Sequence, residues 1–235
     1  MIEEPKTALT PLNPTGNEIS TKRVKAEDAL WRWNVAMALL HGVQGAAALA
    51  AAQFGNANKF KMTMVTSRPD WSRNIPTVAL QKVGELPFAS LTSGFAFMSC
   101  AAHAIVLCDF ARYKANLREG INVHRWYEYS VSSSLMIVLI AMLFGDTDAM
   151  SLALMAGCNA SMCLFGLLHE RMNARVEPAK VNWEPFWFGC FAGGVPWAVI
   201  FAYILSSPNI ARVPGFVWGV LAAYIFFFNT FPINM

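Results

Sequence analysis

Charge is scarce in this chain: Asp, Glu, Lys and Arg make up 14% of its 235 residues, where an ordinary soluble domain carries about 25%. That scarcity argues against a water-soluble globule. The five cysteines, Cys100, Cys108, Cys158, Cys163 and Cys190, show no CxxC spacing, which removes the usual sign of a zinc or dithiol motif and leaves them as small apolar core residues. No internal repeat, coiled-coil heptad or low-complexity tract is present. No basic stripe interleaves with aromatics either, so the net charge of +3 does not point to nucleic acid. Without an HxxxH or ExxH pair, or a nucleophile matched to a base, an enzyme is not expected. Asn159-Ala160-Ser161 matches a glycosylation sequon, but it lies in an apolar run beyond reach of the transferase.

What the chain has in excess is apolar length. Residues 31–53, 86–109, 126–144, 149–168, 185–206 and 214–235 form six runs, each close to the roughly 20 residues that cross a bilayer core. Their apolar side chains are continuous rather than alternating, which selects helices over barrel strands, because in lipid the backbone must satisfy its own N–H and C=O groups. The expected fold is all-α, a polytopic membrane helix bundle over 29–235. Residues 1–28, with Pro5, Pro11 and Pro14, lack the apolar core of a signal peptide and are expected to be disordered.

Of the 18 Lys and Arg residues, twelve fall on the N-terminal side of these runs and six on the other. By the positive-inside rule the N-terminus is cytoplasmic and the protein is an integral cell-membrane protein. The long loop 55–85 is then extracellular. Its alternation from Lys59 to Thr66, followed by Arg68-Pro69-Asp70, reads as a possible β-hairpin, with an irregular loop ordered by Trp71 as the alternative.

Ionisable groups inside such runs are costly and mark function. His41 and His103 lie at matched depth, about 13 Å in from one face at 1.5 Å per residue. Glu128 is shallower but is the carboxylate placed within a run rather than at its end. Gln44 shares a helix face with His41, and Tyr127, Tyr129, Ser130, Ser132, Ser133 and Ser134 supply hydroxyls suited to a buried anion. These groups make a polar inner pocket whose carboxylate faces something positive; a structural pairing of Glu128 with Arg125 is the plainer alternative. All eight lysines lie outside the runs. Metal ligation by His41, His103 and Glu128 is chemically conceivable but has no local motif behind it. Mid-run Asn159, Ser161 and Met162, an expected kink at Gly193, Gly194, Pro196 and Trp197, and the aromatics Tyr224, Phe226, Phe227 and Phe228 fit a flat apolar ligand.

His41-Gly-Val-Gln44, Cys100-Ala-Ala-His103, Arg125-Trp-Tyr-Glu128-Tyr-Ser-Val-Ser-Ser-Ser134, Gly157-Cys-Asn-Ala-Ser-Met162, Pro185-Phe-Trp-Phe-Gly-Cys190 with Val195-Pro-Trp197, and Val213-Pro-Gly-Phe216 with Phe227-Phe-Asn229 together resemble heliorhodopsins from about residue 30 onward. The resemblance implies a seven-helix, retinal-binding photoreceptor of inverted topology, of which six transmembrane helices are present here, usually a homodimer and mostly without pumping activity. It implies all-trans retinal as cofactor and Glu128 as its Schiff-base counterion. His41, Gln44, His103, Arg125 and Tyr129 would belong to a proton-accepting polar cavity. Ser132, Ser133, Met136, Asn159, Met162, Gly166, Pro196, Trp197 and Phe228 would form the retinal pocket. The family attaches retinal through a lysine of its seventh helix, and residues 1–235 contain no such lysine, so the chain is expected to be truncated. A light-sensing, signalling role with an as yet unknown signalling partner is the leading expectation. A transporter or channel with an ion site at Glu128, His41 and His103 is the alternative, weakened by the lack of inverted repeats and paired broken helices.

Overall fold

The computed structural model describes residues 16–55, 57–72, 75–213 and 215–230, and the side chains of 16–23, 57, 216 and 227–230 fall outside that description. The apolar runs are helical: α1 (Gly16–Phe54), α2 (Phe88–Cys108), α4 (Val123–Leu143), α5 (Ala149–Asn173), α6 (Glu184–Ser206) and α7 (Gly215–Thr230), with the short α3 (Phe110–Arg118) between α2 and α4. Among the described residues five helices are long and apolar enough to cross a membrane, α1 doing so from Val24 onward. The last run forms α7, an apolar helix of 16 residues. The fold is thus a helical membrane bundle. Exposed Leu39, Val43, Leu154, Phe191 and Leu205 stud its outside, as expected where hydrocarbon replaces water as solvent.

Local chemistry sets the helix ends. Asn122 caps α4 by accepting the Arg125 backbone N–H, and Asp148 caps α5 by accepting those of Met150 and Ser151, satisfying donors that a helix start leaves orphaned. Gly145 follows α4 with φ of +102°, a conformation that glycine adopts without a Cβ penalty. α6 continues through Gly193, Gly194, Pro196 and Trp197 as one helix with the proline inside it.

The segment expected to be disordered over 1–28 is helical from Gly16, where Glu27 ties the start of α1 to Lys114 and Arg118 of α3; residues 1–15 lie outside the described residues. The loop 55–85 holds an antiparallel hairpin, β1 (Lys61–Asp70) and β2 (Thr77–Pro87), whose second strand continues past Glu85 and meets α2 directly. Its register pairs Lys61 with Pro87 and Asp70 with Thr77, with a bulge at Met64 and Val65. Trp71 is 62% exposed at the hairpin tip.

α4 is the central helix, packed against α2, α5 and α6. Ile137, Ile140, Ala141 and Met142 of α4 bury against Leu152 and Met155 of α5 and Ile200 and Ile204 of α6, and Met62, Met64 and Leu86 of the hairpin close over that end. At the opposite end Trp126 packs on Cys163 and Leu167. Gly42 and Gly45 of α1, small residues suited to close helix contact, are used within the chain, facing Cys100 and Phe97 of α2.

Candidate functional site

Asn34 and His41 lie two turns apart on α1, and Ser99 and His103 one turn apart on α2, so each pair shares a helix face. Packing α1 on α2 brings those faces together. The His41 and His103 rings stack 5.7 Å apart. His41 Nδ1 meets Gln44 Oε1 at 3.1 Å, and His103 Nδ1 meets Asn34 Oδ1 at 2.9 Å. Each ring thus has an amide partner at Nδ1.

From α4, Glu128 completes this region: Ser99 Oγ donates to its Oε1 at 3.3 Å. A polar cavity of about 330 Å³ results, walled by His41, His103, Arg125, Glu128 and Tyr129, together with Asn34, Ser99, Asn122 and His124. Tyr113 of α3 closes one side, edge-on to His124 at 5.4 Å, and burial pushes its phenol above the usual range. Gln44 is not in the wall but supports His41 from behind. Arg125 does not pair with Glu128. Its guanidinium is bound to Glu170 of α5 and stacks on the Trp126 ring, 4.8 Å from the centroid, so Glu128 faces the cavities without a cation from that neighbour.

A second cavity, of about 510 Å³ and mostly apolar, adjoins the first; Ser132, Ser133, Met136 and Met162 line it with Phe95, Cys163 and Tyr224. Its size falls within the range of about 300–1,000 Å³ common to small-molecule sites. Ser99, Glu128 and Tyr129 belong to both cavities. The carboxylate therefore stands where an apolar slot meets a polar chamber.

The other expected pocket residues take different places. Asn159 sits behind the wall, donating to Ser133 Oγ at 2.7 Å and Ser134 Oγ at 3.2 Å. Gly166 is covered by the Trp126 indole, which leaves no space for a Cβ. Pro196 is buried within α6, and Trp197 packs on the central core and near Phe201. The side chain of Phe228 lies outside the described residues. Asn34, Ser99, Phe95 and His124 were not singled out from sequence. For the first two a signal existed, since each lies on the same face as a histidine.

The slot suits a flat polyene, and the carboxylate with its hydroxyl donors suits a positive end. Among the described residues no lysine lines either cavity. Among the described residues no three His, Cys, Asp or Glu side chains approach closely enough to hold a metal ion. A family model described as heliorhodopsin matches residues 30–235. No curated protein matches the chain.

Proposed function

The chain belongs to the heliorhodopsin family, whose members are retinal-binding photoreceptors, and we propose that it signals through a light-driven change of shape rather than by pumping ions, with Glu128 as counterion. The observation that carries this reading is the position of Glu128 at the junction of the apolar slot and the polar chamber. Retinal in the slot would supply a light-absorbing polyene, with a positive end only where its aldehyde carbon is joined to an amine as a protonated Schiff base. Glu128 stabilises that charge across a short, low-dielectric gap, where electrostatic interactions are strong, and Ser99 orients the carboxylate.

His41 and His103, across the polar chamber from Glu128, would offer ring nitrogens to a proton given up at the Glu128 end of the slot. A pump would need further acids leading to the opposite face. Asp146 and Asp148 lie outside the spans at that side, hydrogen-bonded to Ser151 and to the hairpin and helix backbone. Among the described residues no mid-span carboxylate continues the path. The N-terminus is assigned to the cytoplasm by the excess of basic residues on its side, and the active form is assigned as a homodimer.

The test is the visible spectrum of membranes containing the chain with added all-trans retinal, with and without an appended lysine-bearing helix, before and after hydroxylamine. A hydroxylamine-sensitive band that Glu128→Gln moves to longer wavelength is expected. A band that ignores Glu128→Gln would remove the counterion assignment, and no band under any condition would remove the photoreceptor reading of this site.

A further inference from the structure

A third cavity, of about 820 Å³, opens in the cleft between α2 and α4. Met98, Ala101 and Ile105 of α2 face Tyr127 and Val131 of α4 across it, and Ile105, Tyr127 and Val131 are more than half exposed. From Met98 to Asp109 the slot runs for about 16 Å at 1.5 Å per residue. Both walls belong to membrane-crossing helices, so this apolar slot faces hydrocarbon.

One end differs sharply from the rest. α2 stops at Cys108, and the chain turns at Asp109 into α3, which sets Arg112 and Asn116 over the slot; Arg171 of α5 joins them. Five other cations at this end are already committed: Lys114 and Arg118 to Glu27, Arg125 to Glu170, Arg175 to Glu119 and Lys180 to Glu177. Arg112 has only a long contact of 3.7 Å to Asp109, with its side chain 76% exposed. Arg171 has no carboxylate within ion-pair distance among the described residues. An apolar slot ending at two guanidiniums matches an amphiphile with an anionic head, since the planar guanidinium fork suits phosphate geometry.

We propose that this cleft binds one anionic phospholipid, with an acyl chain in the α2–α4 slot and its phosphate at the Arg112 and Arg171 end. The occupant is taken to be a lipid rather than a soluble phosphate because the apolar slot continues from the charged end into the membrane. The inference rests only on the membrane-spanning reading of α2 and α4, and it stands or falls independently of the photoreceptor proposal. Because the floor of the cleft reaches Ala102, His124 and Glu128, the lipid would border the polar chamber.

Native mass spectrometry of the full chain, released from micelles supplied with dioleoyl phosphatidylglycerol or dioleoyl phosphatidylcholine, tests this directly. One phosphatidylglycerol per chain is expected to be retained at least fivefold over phosphatidylcholine. Arg112→Gln with Arg171→Gln should abolish that preference. Lys25→Gln with Arg32→Gln, which removes two charges from α1 on the same side of the bundle, should leave it intact. Ala101→Trp keeps both arginines but fills the slot, and it should lower retention of either lipid; a thermal melt establishes that each variant is folded. Equal losses from the two charge pairs would show diffuse surface attraction and overturn the site, as would equal retention of both lipids or no retained lipid.

Discussion

The imidazole rings of His41 and His103 lie 8° from parallel, and each is tied at Nδ1 to an amide of α1, Gln44 for one and Asn34 for the other. α1 therefore supplies the Nδ1 partner of both rings, including the one carried by α2. Asn34 is itself buried and fixed by donation to the Leu30 carbonyl at 2.8 Å. A buried amide held at both ends costs free energy when only one partner is lost.

Asn34→Leu should accordingly destabilise the protein by about 1–3 kcal/mol, because it leaves the His103 ring nitrogen without its amide partner. His103→Phe should do the same by stranding Asn34 Oδ1. The double variant, in which both polar groups are gone, should recover most of the loss. Thermal unfolding of the four proteins in micelles measures the coupling, and strictly additive losses would show that the two side chains do not act as a unit.

Ser99 offers a sharper spectral test than stability does. A carboxylate near the positive end of a bound polyene localises its charge and widens the excitation gap, so Glu128→Gln shifts absorption to longer wavelength. The Ser99 hydroxyl draws charge from that carboxylate. Ser99→Ala should therefore shift the band the opposite way, to shorter wavelength, and by less than Glu128→Gln does. A shift in the same direction for both variants would show that Ser99 supports the carboxylate's position rather than draining its charge.

Helix positions were readable from composition because lipid leaves the backbone few choices, and Glu128, His41 and His103 stood out because ionisable groups in such runs are rare. Less readable was anything set by helix rotation. Gly166 and Met162 lie four residues apart on α5, yet Met162 lines the slot while Gly166 is sealed under Trp126. Sequence spacing cannot reveal that, since the covering indole comes from α4. Ser99 and Asn34 share a helix face with a histidine, but which partner each would meet, Glu128 for one and His103 for the other, is set by the packing of a second helix. The helical stretch from Gly16 was missed because its anchor, Glu27, pairs with α3 residues some ninety positions away.

Two glycines on one helix separate packing from propensity. Gly166 carries the Trp126 indole against its Cα, so Gly166→Ala should cost about 1–3 kcal/mol through overpacking. Gly157 has open space around it, so Gly157→Ala should stabilise α5 by about 0.5–1 kcal/mol through helix propensity. Melting temperatures of the two variants should move in opposite directions. If both fall, an unseen partner packs on Gly157.

Asp148 links the hairpin to the bundle, and that link depends on its charge. The carboxylate accepts backbone N–H groups from Met150 and Ser151 at 3.0 Å and from Ser67 of β1 at 3.1 Å, while Val65 N–H reaches the Thr147 carbonyl at 2.9 Å. The Ser151 amide, with those of Ser67 and Met150, holds the carboxyl below its ordinary value of 3.8. A depressed carboxylate contributes stability that is fully present above the unfolded value and fades as pH falls through the lower folded one. Hairpin docking should thus hold from neutral pH down to about 4 and weaken below. Hydrogen exchange over Val65 and Ser67 reads this directly. Asp148→Asn keeps an acceptor but cannot titrate, so its protection should be flat over the same range; Asp148→Ala should lose protection at every pH. Glu85 titrates in the same window, since Lys82 and then Lys61 hold its carboxyl low, but it pairs residues within the hairpin. Glu85→Gln should leave the acid loss of docking in place. If Asp148→Asn loses protection along with the native chain, the acid response belongs to another group and Asp148 acts only as a helix cap.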